Sequence, residues 1–112
     1  MEIVIKQIDS VDVFEIQGKL DVLGSKQAQD QIIPALVKDG KYIIDMSRCV
    51  YVASSGLRVL LIIAKQSAAA GCKTVLAGVQ EMVWEVITST GFEDVLQAYP
   101  SAEDAAKALK KR

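Results

Sequence analysis

Histidine does not occur anywhere in these 112 residues, which removes the usual general base and the commonest metal ligand from any chemistry the chain could be asked to do. Cysteine is scarce as well. Cys49 and Cys72 stand alone and far apart, a pattern that fits neither a CxxC motif nor a disulfide framework, and both read as small buried hydrophobes in a reducing cytoplasm. Positive charge is not in excess: 13 Lys and Arg against 14 Asp and Glu leave a formal charge of −1. Direct binding of nucleic acid, which needs cations to release counterions, is therefore not expected. The longest apolar run, Val59 to Ala64, is far below the ~20 residues of a membrane helix. The start MEIVIKQID lacks the basic lead and apolar stretch of a signal peptide. No membrane insertion and no export are expected.

What is present is a chain of one-domain size, read as a single domain over residues 1–112, which can hide roughly 65% of its unfolded surface without a metal or disulfide staple. Ile3 and Ile5 alternate with polar neighbours over Glu2 to Ile8, Asp9-Ser10 offers turn chemistry, and Val11 to Gln17 resumes with Val, Phe and Ile. This predicts a β-hairpin. Gly18-Lys19-Leu20-Asp21 is expected to leave the sheet, followed by a helix from Ser25 to Asp39 with Ala28, Ile32 and Leu36 on one stripe and Gly40 as its stop. Pro34 should kink or interrupt that helix.

Tyr42-Ile43-Ile44 reads as a short strand, Met46 to Ala53 as a loop, and Ser55 to Ala70 as a second helix ended by Gly71. Thr74 to Ala77 is a further strand. Val79, Met82, Val83, Val86 and Ile87 fall on one face of a third helix closed by Gly91. Trp84, at the flank of that stripe, reads as a seal on the core edge or as an interaction anchor. Val95 to Tyr99 suggests a last strand. After Pro100, Ser101 with Glu103 and Asp104 marks a helix start, and Lys107, Lys110, Lys111 and Arg112 gather at its end. Strands alternating with helices after a hairpin imply an α/β fold: a mixed sheet of four to five strands, mainly parallel, with about four helices.

The stretch YVASSGLRVLLIIA, residues 51–64, displays two serines at the mouth of an apolar helix. A nucleophile elbow requires glycine two residues before the serine, where this chain has Val52, and no histidine could take the proton. The glycines are dispersed and form neither GxGxxG nor GxxxxGK[ST]. No cofactor, metal site or catalytic residue is therefore assigned, and the chain is read as a non-enzyme. On local sequence Ser54 is an N-cap and Ser55 and Gly56 are first-turn residues. Arg58, four residues after Ser54, is either solvated, reserved for an acidic partner, or placed to meet a negative group on Ser54. Leu57, Leu60, Leu61 and Ala64 repeat at core spacing, while Val59, Ile62 and Ile63 widen the arc and could face a partner or another layer.

Residues 43–61, IIDMSRCVYVASSGLRVLL, resemble the signature of the STAS domain, specifically the bacterial anti-sigma-factor antagonists. Gly18-Lys19-Leu20-Asp21, Gly71-Cys72-Lys73 and Thr90-Gly91-Phe92 resemble further family segments in the same order. The resemblance implies a protein-binding switch of the cytoplasm: an antagonist that docks on an anti-sigma factor, itself a serine-protein kinase, and frees the sigma factor while unmodified. It puts the phosphoacceptor on Ser54 and an acidic residue, Asp21, beside it. The docking ground it implies is Asp21, Tyr51, Val52, Ser54, Ser55, Gly56 and Arg58, with a PP2C-type serine phosphatase resetting the switch. Where the family often carries Asp directly before the acceptor, this chain has Ala53. The alternative within the same fold is a non-switched scaffold subunit of a stress-signalling or lipid-transport complex.

Overall fold

The chain opens with the hairpin its alternation predicts, β1 (Glu2–Ile8) and β2 (Val11–Leu20), joined by Asp9 and Ser10 at φ 52 and 69°. Positive φ at both turn residues is the turn form that matches the twist of antiparallel strands. The computed structural model describes residues 1–89, 91 and 97–110. After the hairpin come α1 (Val22–Ile32), a 3₁₀ turn (Ile33–Ala35), β3 (Lys41–Val52), α2 (Ser54–Ala70), β4 (Lys73–Ala77), α3 (Glu81–Ser89), β5 (Ala98–Tyr99) and α4 (Ala102–Lys110). The sheet order is β1-β2-β3-β4-β5, with β1 and β2 antiparallel and the other pairs parallel.

Four sequence expectations are corrected. Gly18 to Leu20 stay in the sheet: Gly18 takes φ +107°, and register shifts between Glu15 and Gln17 and between Gly18 and Lys19 absorb the irregularity without ending the strand. The first helix begins at Val22, not Ser25, and stops at Ile32 because Pro34 sits at the start of the 3₁₀ turn, so Gly40 is not its terminator. β3 runs for 12 residues and takes in the expected loop at Met46 to Val52. Its buried positions there are Met46, Cys49 and Val52, a spacing of three set by those bulges, which hides the period of two a strand normally shows. Ser54 is the first helical residue of α2 and Ala53 is its N-cap.

Both faces of the sheet are covered. Phe14, Ile16, Leu20, Ile44 and Met46 pack with α1, α2 and α3, while Val11, Val13, Ile43 and Val75 pack with α4. Side chains of this size, wholly buried, each contribute about 1.5–3 kcal/mol. Val59 and Ile63 belong to the first core, so that part of α2 faces the sheet layer. Trp84 is half-buried against the same core, in keeping with a seal at its edge. Helix α2 ends on Gly71 in the left-handed region, and Ser101 Oγ accepts the Asp104 N–H at 3.1 Å at the start of α4. The expected strand over Val95 to Tyr99 is present at Ala98–Tyr99; Val95 and Leu96 lie outside the described residues, as do Thr90, Phe92, Lys111 and Arg112. No helix among the described residues is long and apolar enough to cross a membrane.

Candidate functional site at the tip of helix α2

The parallel pairing of β2 and β3 brings Leu20 opposite Val52, and the next residues, Asp21 and Ala53, each turn out of the sheet into a helix. The Ala53 N–H donates to the Leu20 carbonyl at 3.1 Å, which pins the two exits together. The tips of α1 and α2 are therefore neighbours.

At α1, Asp21 is extended and its Oδ1 accepts the Gly24 N–H at 2.9 Å, while Ser25 Oγ donates to the Asp21 carbonyl at 2.6 Å. The carboxylate that the resemblance assigns to partner contact thus also caps a helix. At α2, Ala53 has the extended conformation of a cap (φ −82°, ψ 173°) but no side-chain oxygen to fill the role. The first intrahelical bond runs from Leu57 N–H to the Ala53 carbonyl at 3.0 Å. By helix geometry the N–H groups of Ser54, Ser55 and Gly56 are then without intrahelical acceptors, and they sit at the positive end of the helix dipole.

The two serines differ sharply. Ser54 is exposed. Ser55 Oγ is shut off from solvent and has no hydrogen-bond partner among the described residues, while the residue borders a cleft of about 380 Å³ between α1 and α2 together with Ser25, Lys26, Asp30 and Arg58. Lys26 pairs with Asp30 at 3.0 Å one turn along the same helix, α1, on the α1 side of that cleft. Arg58 is exposed, one turn along from Ser54 on the same helix face.

Gly56 explains how the tip can sit so low on the sheet: a β-carbon there would collide with the Leu20 carbonyl oxygen and with Val52 Cγ1. Val52 is 7% exposed and Gly56 is buried, so both support this surface from beneath, whereas Tyr51, Ser54 and Arg58 form its outside. Sequence reasoning missed Val22 and Leu23, which are 72% and 76% exposed on the first turn of α1. Their signal was two apolar residues directly after the cap Asp21 and off the stripe formed by Ala28 and Ile32; starting the helix at Ser25 concealed it. Beneath the junction, burial pushes the Cys49 thiol above its ordinary range, partly opposed by backbone hydrogen bonds at Tyr51 and Leu20.

Three similarities fit this geometry. A Bordetella bronchiseptica protein that carries the provisional name anti-sigma factor antagonist BtrV is 29% identical over 111 residues, covering 98% of this chain and 96% of its own length. A crystal structure from Thermotoga maritima, provisionally described as an anti-sigma factor antagonist, superposes with a TM-score of 0.87 at 18% identity over 97% of this chain and 95% of that one. The anti-sigma factor antagonist SpoIIAA in its unphosphorylated form superposes at 0.79 with 18% identity over 99% and 98%. At such identities the two structures establish the fold alone. The STAS domain profile matches residues 2–105, and with the five-stranded mixed sheet and its helices in that order, the chain belongs to the STAS domain family.

Proposed function

We propose that this chain, as one STAS domain over residues 1–112, is an anti-sigma-factor antagonist of the cytoplasm, a non-catalytic binding protein switched by phosphorylation of Ser54. Unmodified, it docks on an anti-sigma factor that is also a serine kinase, and the sigma factor is released. The single observation that carries the reading is the pairing of an exposed Ser54 hydroxyl with an α2 tip whose cap position, Ala53, supplies no oxygen. In the modification the Ser54 Oγ attacks the γ-phosphorus of ATP, the bond to the β-phosphate oxygen breaks, ADP leaves, and the hydroxyl proton passes to a base of the kinase. The product carries about −1.5 to −2 charges.

That charge arrives among unpaired helix N–H groups at a positive dipole end, with Arg58 one turn away, so the domain accommodates it without unfolding. Docking is blocked because the same surface, formed outside by Tyr51, Ser54 and Arg58 and underpinned by Asp21, Val52, Ser55 and Gly56, has gained a doubly charged group that a partner fitted to a neutral hydroxyl must desolvate. A PP2C-type serine phosphatase restores the hydroxyl. Ser55 is a poor acceptor for the same reactions, since its oxygen is closed off from solvent.

Incubation with ATP and a kinase-fold anti-sigma factor should add one phosphate by intact mass, lost in Ser54→Ala and kept in Ser55→Ala. Ser54→Asp should weaken capture of that anti-sigma factor while Ser54→Ala retains it. Equal capture by both variants, with no mass change, would sink the switch and favour the scaffold role.

A further inference from the structure

We propose that the β1 edge of the sheet is a self-association surface, on which a second copy of this chain pairs its own β1 antiparallel in a register centred on Val4. β1 is the outer strand of the five, and an outer strand presents a row of backbone groups with no neighbour in the sheet. Which groups point outward follows from the hairpin. The pair flanking a two-residue turn, Ile8 and Val11, exchanges hydrogen bonds, and alternation along the register gives Lys6, Val4 and Glu2 their bonds to β2. Ile3 and Ile5 therefore aim their N–H and C=O groups away from the sheet.

The side chains favour one register. Glu2, Val4 and Lys6 stand opposite Gln17, Glu15 and Val13, on the face covered by α4, whereas Ile3 and Ile5 stand opposite Ile16 and Phe14 on the other face. In an antiparallel pair centred on Val4, Ile3 of each copy meets Ile5 of the other as a hydrogen-bonded pair. Val4 meets Val4, and each Glu2 meets a Lys6. Segment 2–6, EIVIK, thus carries opposite charges at equal distances from its centre with apolar residues between them. Moving the centre by one residue either way, to Ile3 or Ile5, breaks both charge pairs and sets Lys6 or Glu2 against an apolar neighbour. Edge lysines usually repel another strand; here the lysine has its complement four residues away.

The register also accounts for apolar surface that stays exposed among the described residues. Ile5 is 61% exposed although its cross-strand neighbour Phe14 is at 1%, and Val4, on the other face, is 39% exposed. The two-fold axis makes the contact isologous and closed, giving one ten-stranded sheet with both helical layers kept on their own sides. A strand this short buries far less than the roughly 1,600 Å² of a standard interface, so the dimer belongs to the weak, concentration-dependent class. The contact is separated by β2 from β3, which leads to Ser54, and the proposal stands whether or not Ser54 is modified.

Sedimentation equilibrium of the full chain between about 20 µM and about 1 mM should show a monomer–dimer equilibrium. Glu2→Lys and Lys6→Glu should each weaken it by about tenfold, because two symmetric pairs change from attraction to repulsion, and the double variant should restore it. Lys6 also lies 3.9 Å from Glu15 of its own chain. That contact is equally lost in the single and double Lys6 variants, so recovery in the double isolates the pairing between copies, and Glu2→Lys leaves it intact. A wild-type chain still monomeric near 1 mM, a single variant that associates as well as wild type, a double variant that stays dissociated, or open-ended polymers in place of dimers would each overturn the proposal.

Discussion

The tips of α1 and α2 stand side by side on one plan, a cap residue followed by two exposed or partly exposed residues and then a buried glycine, yet they treat charge in opposite ways. Asp21, Val22, Leu23 and Gly24 start α1; Ala53, Ser54, Ser55 and Gly56 start α2. In both, the glycine lies where a β-carbon would strike the end of β2, at the Lys19 carbonyl oxygen for Gly24 (2.6 Å) and the Leu20 carbonyl oxygen for Gly56. The seats are alike, but α1 carries a permanent anion that bonds the Gly24 N–H, while α2 carries methyl where that anion would be and a reachable hydroxyl one residue on. The contrast teaches that position in the fold and the supply of charge are separable, and that α2 is the tip with no anion of its own at the cap.

The largest effect should come from attacking what the tips share. Gly56→Ala is expected to cost about 1–3 kcal/mol in a urea titration, because the nearest colliding atom, the Leu20 carbonyl oxygen, is backbone and cannot turn aside. The next comes from exchanging what differs. Ala53→Asp should give α2 the cap α1 already has and raise stability by about 1 kcal/mol, whereas Asp21→Ala should lower it by a similar amount and Asp21→Asn by little. The Asn variant then reports the charge of Asp21 in partner capture without the loss of its cap. Smaller still, Ser54→Asp should leave thermal stability unchanged or raise it by about 0.3–1 kcal/mol; a marked fall would mean that charge at this tip disrupts the helix.

The smallest concerns the thiol under the junction. Burial raises the Cys49 pKa in the folded state above the 9.0 of a free thiol, so the folded form favours the neutral group. Its contribution is fully present well below the unfolded pKa and is lost as pH rises through the folded one. The fall in stability on the alkaline side should vanish from the pH profile of Cys49→Ala.

Much of this was legible in the residues. Alternation around Ile3 and Ile5 with Asp9-Ser10 between two runs marked the hairpin, Gly71 closed α2, Ser101 opened α4, and the ordered segments around Ser54 carried the family. Where sequence reasoning fell short, another force decided the local structure. Ser47 and Arg48 are adjacent, polar and exposed in the middle of β3, and a strand bulged in that way looks like a loop until its partner β2 is seen beside it. Pro34 marks a kink or an interruption in the sequence, and with a 3₁₀ turn available it is the interruption that occurs: α1 ends at Ile32 with no restart. Ser54 was placed on the cap because serine favours that position; the hydrogen bond between Ala53 and Leu20 moved the cap back by one residue, and only the fold could set that. Ser55 and Ser54 are indistinguishable as letters, and burial alone separates them.

The missing oxygen at Ala53 also sets a clock. Amide protons of Ser54, Ser55 and Gly56, held by no carbonyl of their own helix, should trade with heavy water well before those of the turns that follow. A phosphoryl group on Ser54, as proposed above, would slow that trade at these three positions, so its presence would be read from isotope uptake at one helix end with no partner in the tube.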